Sequence, residues 1–173
     1  MKKLFIIAVL VTVSSLGYSQ VSKSTWLLGG SAGFSATTGD YKSTEIEINP
    51  NIGYFVMDKL AVGARIGFDY YKPKDVDATT GFSAGPFVRY YFVDLGSKAK
   101  LFGHAQFGFG STKEGGGESV SSTNWGISAG PAFFLNPSIA LEATLGYGAS
   151  KSKGTPSQGA FGLNIGFQIH FAK

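Results

Sequence analysis

Residues 161–171 read FGLNIGFQIHF, and every second residue of this stretch is large and apolar. The residues between them are Gly, Asn, Gln and His, which are small or polar. Successive side chains of a β-strand point to opposite sides, so a period of two indicates a strand with one apolar face. The stretch therefore predicts a long amphipathic β-strand.

The same alternation recurs along the rest of the chain from Ser24 onward. Eight alternating segments span residues 26–34, 46–54, 60–70, 82–92, 101–109, 125–135, 139–147 and 161–171. One face of these segments carries no Asp, Glu, Lys or Arg, whereas the other face carries six charged residues. This pattern predicts an all-β fold, an eight-stranded antiparallel up-and-down barrel.

The apolar face must point either into a protein core or out toward lipid. A soluble barrel, such as a lipocalin-like carrier, would expose mostly Gly, Ser and Asn with only six charges, which is a poor surface for solubility. The interior of an eight-stranded barrel is also only just wide enough for side chains. In a transmembrane barrel the apolar face meets lipid, and the small and polar face fills the lumen. The pattern therefore favours a transmembrane barrel.

The ends of the segments and their connections support this interpretation. Short periplasmic turns alternating with longer external loops are typical of outer-membrane barrels, as are aromatic girdles at the two interfaces. Turns are predicted at 57–59, 94–100 and 136–138, and polar loops of 9 to 13 residues at 36–44, 72–81, 111–123 and 149–160. The predicted interfacial aromatics are Trp26, Tyr54, Tyr70, Tyr90, Trp125, Tyr147 and Phe171.

The first residues have the composition of a secretory signal peptide. Lys2 and Lys3 precede an apolar run at 4–13, and the small residues Gly17 and Ser19 suit a signal-peptidase site. Ten apolar residues are too few to cross about 30 Å of hydrocarbon as a helix. We expect a signal peptide at 1–19, and the barrel domain at 20–173.

The composition excludes several classes of protein. The chain has 25 Gly, 14% aromatic residues, 15% charged residues and no Cys. Few charges and many aromatics are the opposite of a disordered chain, and without Cys there is no disulfide scaffold, thiolate zinc site or cysteine nucleophile. The net charge of +4 includes Lys2 and Lys3; the other 13 Lys and Arg residues are scattered among 11 Asp and Glu residues. Nucleic acid is not an expected partner, because binding it needs a clustered basic face.

Six charged residues lie on the predicted lumen face. We expect Glu47 and Glu142 to neutralise Arg65 and Arg89, since an unpaired charge inside a closed barrel is costly. The remaining two, Glu45 and Asp69, are predicted near the external mouth. We interpret the set as a plug of ion pairs, and the alternative is a gate in a narrow pore.

Candidate residues for catalysis or metal binding are few. His104 and His170 are both predicted to face the lumen near the periplasmic end, where they would form hydrogen bonds. Two histidines without cysteine make a metal site unfavourable. The Gly-rich stretches 108–110 and 115–117 lack the strand–loop–helix context of a phosphate-binding loop. We predict no catalytic residue, no cofactor and no metal site.

Three prolines interrupt the predicted descending strands. Pro50, Pro86 and Pro131 each remove a backbone donor from the ladder, and the last two share the repeat Ser-Ala-Gly-Pro. They predict either three bulges or three locally open bonds.

The chain resembles the small outer-membrane β-barrel family, OmpA/OmpX-like, in its single-domain form. The resemblance is carried by the eight segments, by residues 49–56 before the turn at Met57, by Arg89-Tyr90-Tyr91-Phe92 and by the aromatic-ended C-terminal strand. It implies an eight-stranded barrel in the outer membrane of a Gram-negative bacterium. It also implies that the barrel-assembly machinery reads the C-terminal strand.

We therefore expect a non-enzymatic, monomeric integral outer-membrane protein in contact with outer-membrane lipid. Its polar lumen is expected to be plugged, and its external loops to have structural or interaction roles with partners that the sequence does not name. The alternatives are a narrow channel for small solutes and a lipid-modifying barrel enzyme.

Overall fold

The structure is a computed structural model that describes residues 21–39 and 42–172. The predicted signal peptide, residues 1–19, lies outside the described residues, as does the predicted mature N-terminus Gln20. The described chain forms β1 (Thr25–Thr37), β2 (Ser43–Met57), β3 (Leu60–Pro73), β4 (Thr79–Leu95), β5 (Ala99–Glu114), β6 (Val120–Asn136), β7 (Ile139–Ser152) and β8 (Gln158–Ala172).

Each strand pairs antiparallel with the next, and the sheet closes into a barrel where β1 pairs with β8. The predicted eight-stranded up-and-down barrel is confirmed. Closure gives the backbone groups of the first and last strands partners that an open sheet would lack. Within the described ranges, no helix is both long enough and apolar enough to cross a membrane.

The two ends of the barrel differ in the length of their connections. At one end, named here the turn end, the strands are joined by residues 58–59, 96–98 and 137–138. The other end, named the loop end, has the longer connections. These are residues 38–42, 74–78, 115–119 and 153–157.

The loop-end connections are shorter than the 9 to 13 residues predicted. The strands continue through polar residues to pairs such as Tyr71↔Thr79 and Ser150↔Gln158, and the strand bounds leave five residues between consecutive strands. Beyond the apolar band both faces of a hairpin meet water, so the ladder continues although the alternation in polarity does not. The predicted turn at 94–100 is likewise shortened, by the pairs Asp94↔Lys100 and Leu95↔Ala99.

The three strand prolines open the ladder without shifting its register. Between β2 and β3 the pairs run from Ile48↔Phe68 directly to Asn51↔Arg65, so the ladder skips Pro50 and resumes in the same register. The β4/β5 and β6/β7 ladders skip Pro86 and Pro131 in the same way. A proline has no N–H to give to the next strand. The three sites are therefore locally open bonds.

Bulges occur instead close to the turn end of the same three strands. Register shifts lie between Phe55 and Met57, between Tyr91 and Val93, and between Phe134 and Asn136. A bulge adds one residue to one strand and increases its local twist. The recurrence in β2, β4 and β6 indicates that the barrel is built from similar hairpins.

The predicted apolar face points outward. Phe34 is 73% exposed, Leu145 63% and Phe161 80%. The residues that alternate with this face along each strand line the lumen. An outward apolar surface of this extent needs an apolar surrounding.

Apolar side chains fill the lumen at the turn end, where the sequence predicted a polar plug. Phe55, Tyr91 and Phe102 have no exposed surface, and the ring of Tyr91 lies 5.9 Å from that of Phe55 and 5.4 Å from that of Phe102. Aromatic rings occupy a narrow lumen without introducing many polar atoms that need partners. We name this group the aromatic plug. Its members are Leu27, Phe55, Ala61, Phe87, Tyr91, Phe102, Ala132, Phe134 and Ala140.

The outward face yields a depth-dependent prediction for Leu145. Leu145→Arg is expected to destabilise the barrel by about 2–4 kcal/mol, because it places a guanidinium in the middle of the apolar band. Ala149→Arg is the matched control, on the same face of β7 and opposite Trp125 near the loop end. It is expected to cost about 0–1 kcal/mol. Urea titration of folding in phosphatidylcholine vesicles measures both, and equal free energies of unfolding would contradict the outward assignment.

Candidate functional site

The lumen has a closed part and an open part. The aromatic plug fills the turn end, and above it lies a polar cavity of about 380 Å³ whose lining includes His104, Gln106, Ser128 and Thr144. A second region of about 500 Å³ continues toward the loop end and shares Arg65 and Gln106 with the first. The lumen is therefore a polar cavity above an apolar floor.

Arg89 and Glu142 form a buried ion pair at the boundary between these two parts. Arg89 Nη1 donates to Glu142 Oε1 at 2.7 Å, and both side chains are 5% exposed. The guanidinium carbon of Arg89 lies 4.3 Å from the centroid of the Phe102 ring, so the pair lies on the aromatic plug. A buried pair is tolerated only when further contacts satisfy it. Here the Tyr91 hydroxyl lies 3.4 Å from Arg89 Nη1 and 3.5 Å from Glu142 Oε1.

Both histidines lie in this layer, on the lumen face near the turn end. Arg89 Nε donates to His104 Nδ1 at 3.4 Å, and the His104 ring stacks on Phe87 at 4.9 Å. His170 Nε2 lies 3.4 Å from the Tyr91 hydroxyl, and its ring is 5.2 Å from that of Phe134. The described residues contain no cluster of three or more side chains of the metal-ligating types. The surroundings of both rings are aromatic side chains and hydrogen-bonding partners.

Arg65 and Glu47 are linked through an amide rather than in direct contact. Arg65 Nη2 donates to Asn49 Oδ1 at 2.7 Å, and Asn49 Nδ2 donates to Glu47 Oε1 at 2.5 Å. Among the four ion pairs of the described chain, none includes Arg65 or Glu47. The sequence does not distinguish Asn49 from the other polar, uncharged residues on the predicted lumen face, so its role as the link was missed.

Carboxylates outnumber cations in the part of the lumen nearer the loop end. Asp69 lies directly opposite Glu47 in the β2/β3 ladder, and Glu45 lies opposite Tyr71 two pairs farther toward the loop end. Arg65 is the cation of this group. Like charges directly opposite each other on one face are unfavourable. This part of the lumen therefore has an excess of negative charge.

The predicted interfacial aromatics lie at two levels. At the turn end Trp26 and Tyr54 meet edge to face with centroids 5.1 Å apart, Phe171 lies opposite Trp26, and Tyr90 lies opposite Leu60. Nearer the loop end the rings of Trp125 and Tyr147 are 5.7 Å apart, Phe161 is 5.0 Å from Tyr147, and Tyr70 lies opposite Thr80.

Comparison with solved structures shows what kind of barrel this is. No protein-family model matches the chain, and no curated protein matches it in sequence. Neisserial surface protein A superposes with a TM-score of 0.58 at 19% identity, over 85% of this chain and 96% of that chain. The outer membrane protein OprG from Pseudomonas aeruginosa gives a TM-score of 0.59 at 14% identity, over 90% of this chain and 100% of that chain.

The chain has the fold of the small outer-membrane β-barrels. The N-terminal β-barrel domain of Pseudomonas aeruginosa OprF, with a TM-score of 0.59 at 13% identity, covers 86% of this chain and 98% of that domain. These matches extend over nearly the whole of each neighbour, so the likeness in fold to the small outer-membrane barrels is confirmed. Identities this low carry the fold and leave the activity open.

The buried pair predicts strong coupling between Arg89 and Glu142. Arg89→Met and Glu142→Met are each expected to destabilise the barrel by about 3–5 kcal/mol, because each leaves the other charge buried and uncompensated. The double variant is expected to cost less than the sum of the two. Urea titration of folding in lipid vesicles measures the three free energies of unfolding.

The matched control is the exposed pair Lys59–Asp94 at the turn end, whose atoms are also 2.7 Å apart. Water screens that pair, and Asp94 keeps Lys100 at 2.6 Å when Lys59 is replaced, so little coupling is expected. If the effects of the two lumen substitutions simply add, so that the coupling is as small as that of the control pair, the lumen pair lies in water.

Proposed function

We propose that the protein is a non-enzymatic integral barrel of the bacterial outer membrane. In this proposal its lumen is closed at the periplasmic end, and its loop end has a structural or interaction role outside the cell. The chain is exported by the signal peptide at 1–19 and embeds in outer-membrane lipid as a monomer. The barrel-assembly machinery recognises its C-terminal strand, the β8 stretch 161–171.

The observation that carries the proposal is the closure of the lumen at the turn end. Leu27, Phe55, Tyr91 and Phe102 are all fully buried there, and the ion pair of Arg89 and Glu142 lies against Tyr91 and Phe102. A hydrated ion would have to displace both the rings and the pair. Barrels with eight strands leave no further space around such a filling.

The orientation follows from the connections. Outer-membrane barrels have short turns on the periplasmic side and longer connections outside. The turn end, with two- or three-residue connections, is therefore assigned to the periplasm. The loop end, with five-residue connections on extended strands, is assigned to the exterior, so a partner there meets hairpin ends rather than long loops.

The packing of the histidines supports the non-enzymatic assignment. His170 is 2% exposed among aromatic rings, and His104 is stacked on Phe87 and bonded to Arg89. A general base needs to reach a substrate within hydrogen-bond distance. Both rings lie at the turn end, away from the external leaflet that a lipid-modifying enzyme would face.

Planar-bilayer conductance tests the closed lumen. The wild-type barrel is expected to show no steady conductance. The double variant Tyr91→Ala/Phe102→Ala is expected to show stable steps, because it removes two fully buried rings of the aromatic plug, both of which contact Arg89 of the ion pair. Tyr90→Ala is the matched control, since Tyr90 is the outward neighbour of Tyr91 and is 48% exposed. It is expected to remain closed.

Heat-modifiable gel mobility identifies the folded fraction of each variant before conductance is measured. Phe55→Ala/Phe102→Ala is the second opening variant if the first does not fold, because both rings are fully buried in the aromatic plug. Steady conductance of the wild type would overturn the closed lumen in favour of the narrow channel. A lipid A mass profile that changes with the gene's presence would overturn the non-enzymatic assignment in favour of the barrel enzyme.

A further inference from the structure

The ladder that closes the barrel covers only the half nearer the turn end. The β1/β8 pairs run from Thr25↔Ala172 to Ser31↔Gly166 and stop there. Beyond this point β1 is paired with β2 alone, and β8 is paired with β7 alone. We name the two facing stretches, residues 32–37 of β1 and 158–165 of β8, the open seam.

The open seam cuts through the outward apolar face. Phe161 belongs to the aromatic group near the loop end, with its ring 5.0 Å from that of Tyr147. Leu163 and Ile165 lie closer to the turn end on the same face and are 73% and 65% exposed. Phe34 projects outward on the opposite side of the seam. In the membrane placement proposed above, these residues lie at the depth of the outer leaflet.

Unpaired backbone at this depth needs other partners. A backbone N–H or C=O that faces hydrocarbon without a partner costs several kcal/mol, and such backbone is tolerated where it lines a polar cavity. The cavity of about 380 Å³ is lined by Ser31 of β1 and by Gly162, Asn164 and Gly166 of β8. The lumen cavity therefore reaches the seam from inside, and lipid reaches it from outside.

The wall of the cavity beside the seam accepts hydrogen bonds and positive charge. Glu47 packs over β1, where a Cβ built on Gly33 would lie 3.8 Å from Glu47 Oε2. Nearer the turn end, beside the paired half of the β1/β8 ladder, the same cavity is lined by Asn51 Oδ1 and Gln168 Oε1, which are buried without a hydrogen-bond partner. Asp69 adds a second carboxylate opposite Glu47. This wall suits a group that donates hydrogen bonds and carries a positive charge.

We propose that the open seam binds an amphiphile with an ammonium head and an alkyl chain. The alkyl chain lies in the outer leaflet against Phe34, Leu163 and Ile165, and the ammonium passes between β1 and β8 to Glu47. The aromatic plug makes the cavity a dead end, so the seam is a binding site and not a path to the periplasm. The inference rests on the membrane placement under the proposed function.

Cross-linking provides the first test, because the chain has no native Cys. The register Ser31↔Gly166, continued toward the loop end, sets Phe34 opposite Leu163, so the disulfide of Phe34→Cys/Leu163→Cys closes the seam. Phe68→Cys/Phe82→Cys is the matched control, an opposed pair on the complete β3/β4 ladder. Binding of dodecylammonium to each protein in phosphatidylcholine nanodiscs is measured by calorimetry.

Saturable binding is expected for the wild type and for the control disulfide, and at least tenfold weaker binding for the seam disulfide and for Glu47→Gln. Dodecanoate, with the same chain length and the opposite charge, is expected not to bind. If lysophosphatidylethanolamine also binds, with the same dependence on Glu47, the site takes a lipid headgroup. If only dodecylammonium binds, the site takes free amines. Either result supports the proposal. Undiminished binding by the seam disulfide, or dodecanoate binding as tightly as dodecylammonium, overturns it.

Hydrogen exchange tests the seam without any substitution. Seam-facing amides in 32–37 and 158–165 are expected to exchange faster than those of the paired stretches 25–31 and 166–172, and to slow when dodecylammonium is added. Equal protection without the amine would show a closed seam. A barrel that stays in the membrane and does not conduct, yet has a closed seam, overturns this inference alone and leaves the proposed function standing.

Discussion

The alternation of outward and inward side chains along each strand is the constraint on which the rest of this barrel depends. Eight strands enclose a lumen only just wide enough for side chains. Whether a residue stands at an odd or an even place along its strand therefore decides whether its side chain points out of the barrel or into the lumen. A charged residue cannot take an outward position in the apolar band at low cost. Arg89 and Glu142 must therefore satisfy each other inside, and they meet at 2.7 Å although 53 residues separate them.

The same constraint produces the difference between the two ends. At the turn end each new hairpin is bonded to the one before it, through Tyr91 N to Lys59 O at 2.9 Å, Phe134 N to Lys98 O at 2.7 Å and His170 N to Ser138 O at 2.6 Å. The acceptors of these bonds lie in or beside the tight turns, and the donors are bulky lumen residues. Backbone bonds and side-chain filling thus reinforce each other at the turn end. The loop end has comparable backbone bonds, such as Lys74 N to Lys42 O at 2.7 Å, but it has neither the β1/β8 ladder nor the aromatic filling. Local stability in proteins follows such differences in packing and pairing, so opening is expected at the loop end.

The sequence predicted the strands wherever an apolar outward face alternates with a polar inward face, and it failed where that alternation ends. The pattern at 161–171 located β8, whereas the loop at 111–123 was predicted too long because Thr112 and Val120 pair in water without alternating polarity. Phe55 and Phe134 of the aromatic plug stand at positions whose side chains point into the lumen, two residues at a time from the other lumen residues of their strands. This spacing is the signal that identifies them. They lie at the bulges, beside the ends of the alternating segments. The stagger that stops the β1/β8 ladder at Ser31 depends on how all eight strands tilt, which no single segment specifies.

Access to the cavity from each side is the most direct test of a lumen closed at one end. Ser128 lines the cavity above the aromatic plug, and Ser128→Cys gives the barrel a single thiol, since the chain has no native Cys. A membrane-impermeant maleimide is added either outside or inside vesicles in which the barrel has one known orientation. The account predicts labelling from the loop end and none from the turn end. Labelling at similar rates from both sides would contradict it and would mean that the lumen is an open pore.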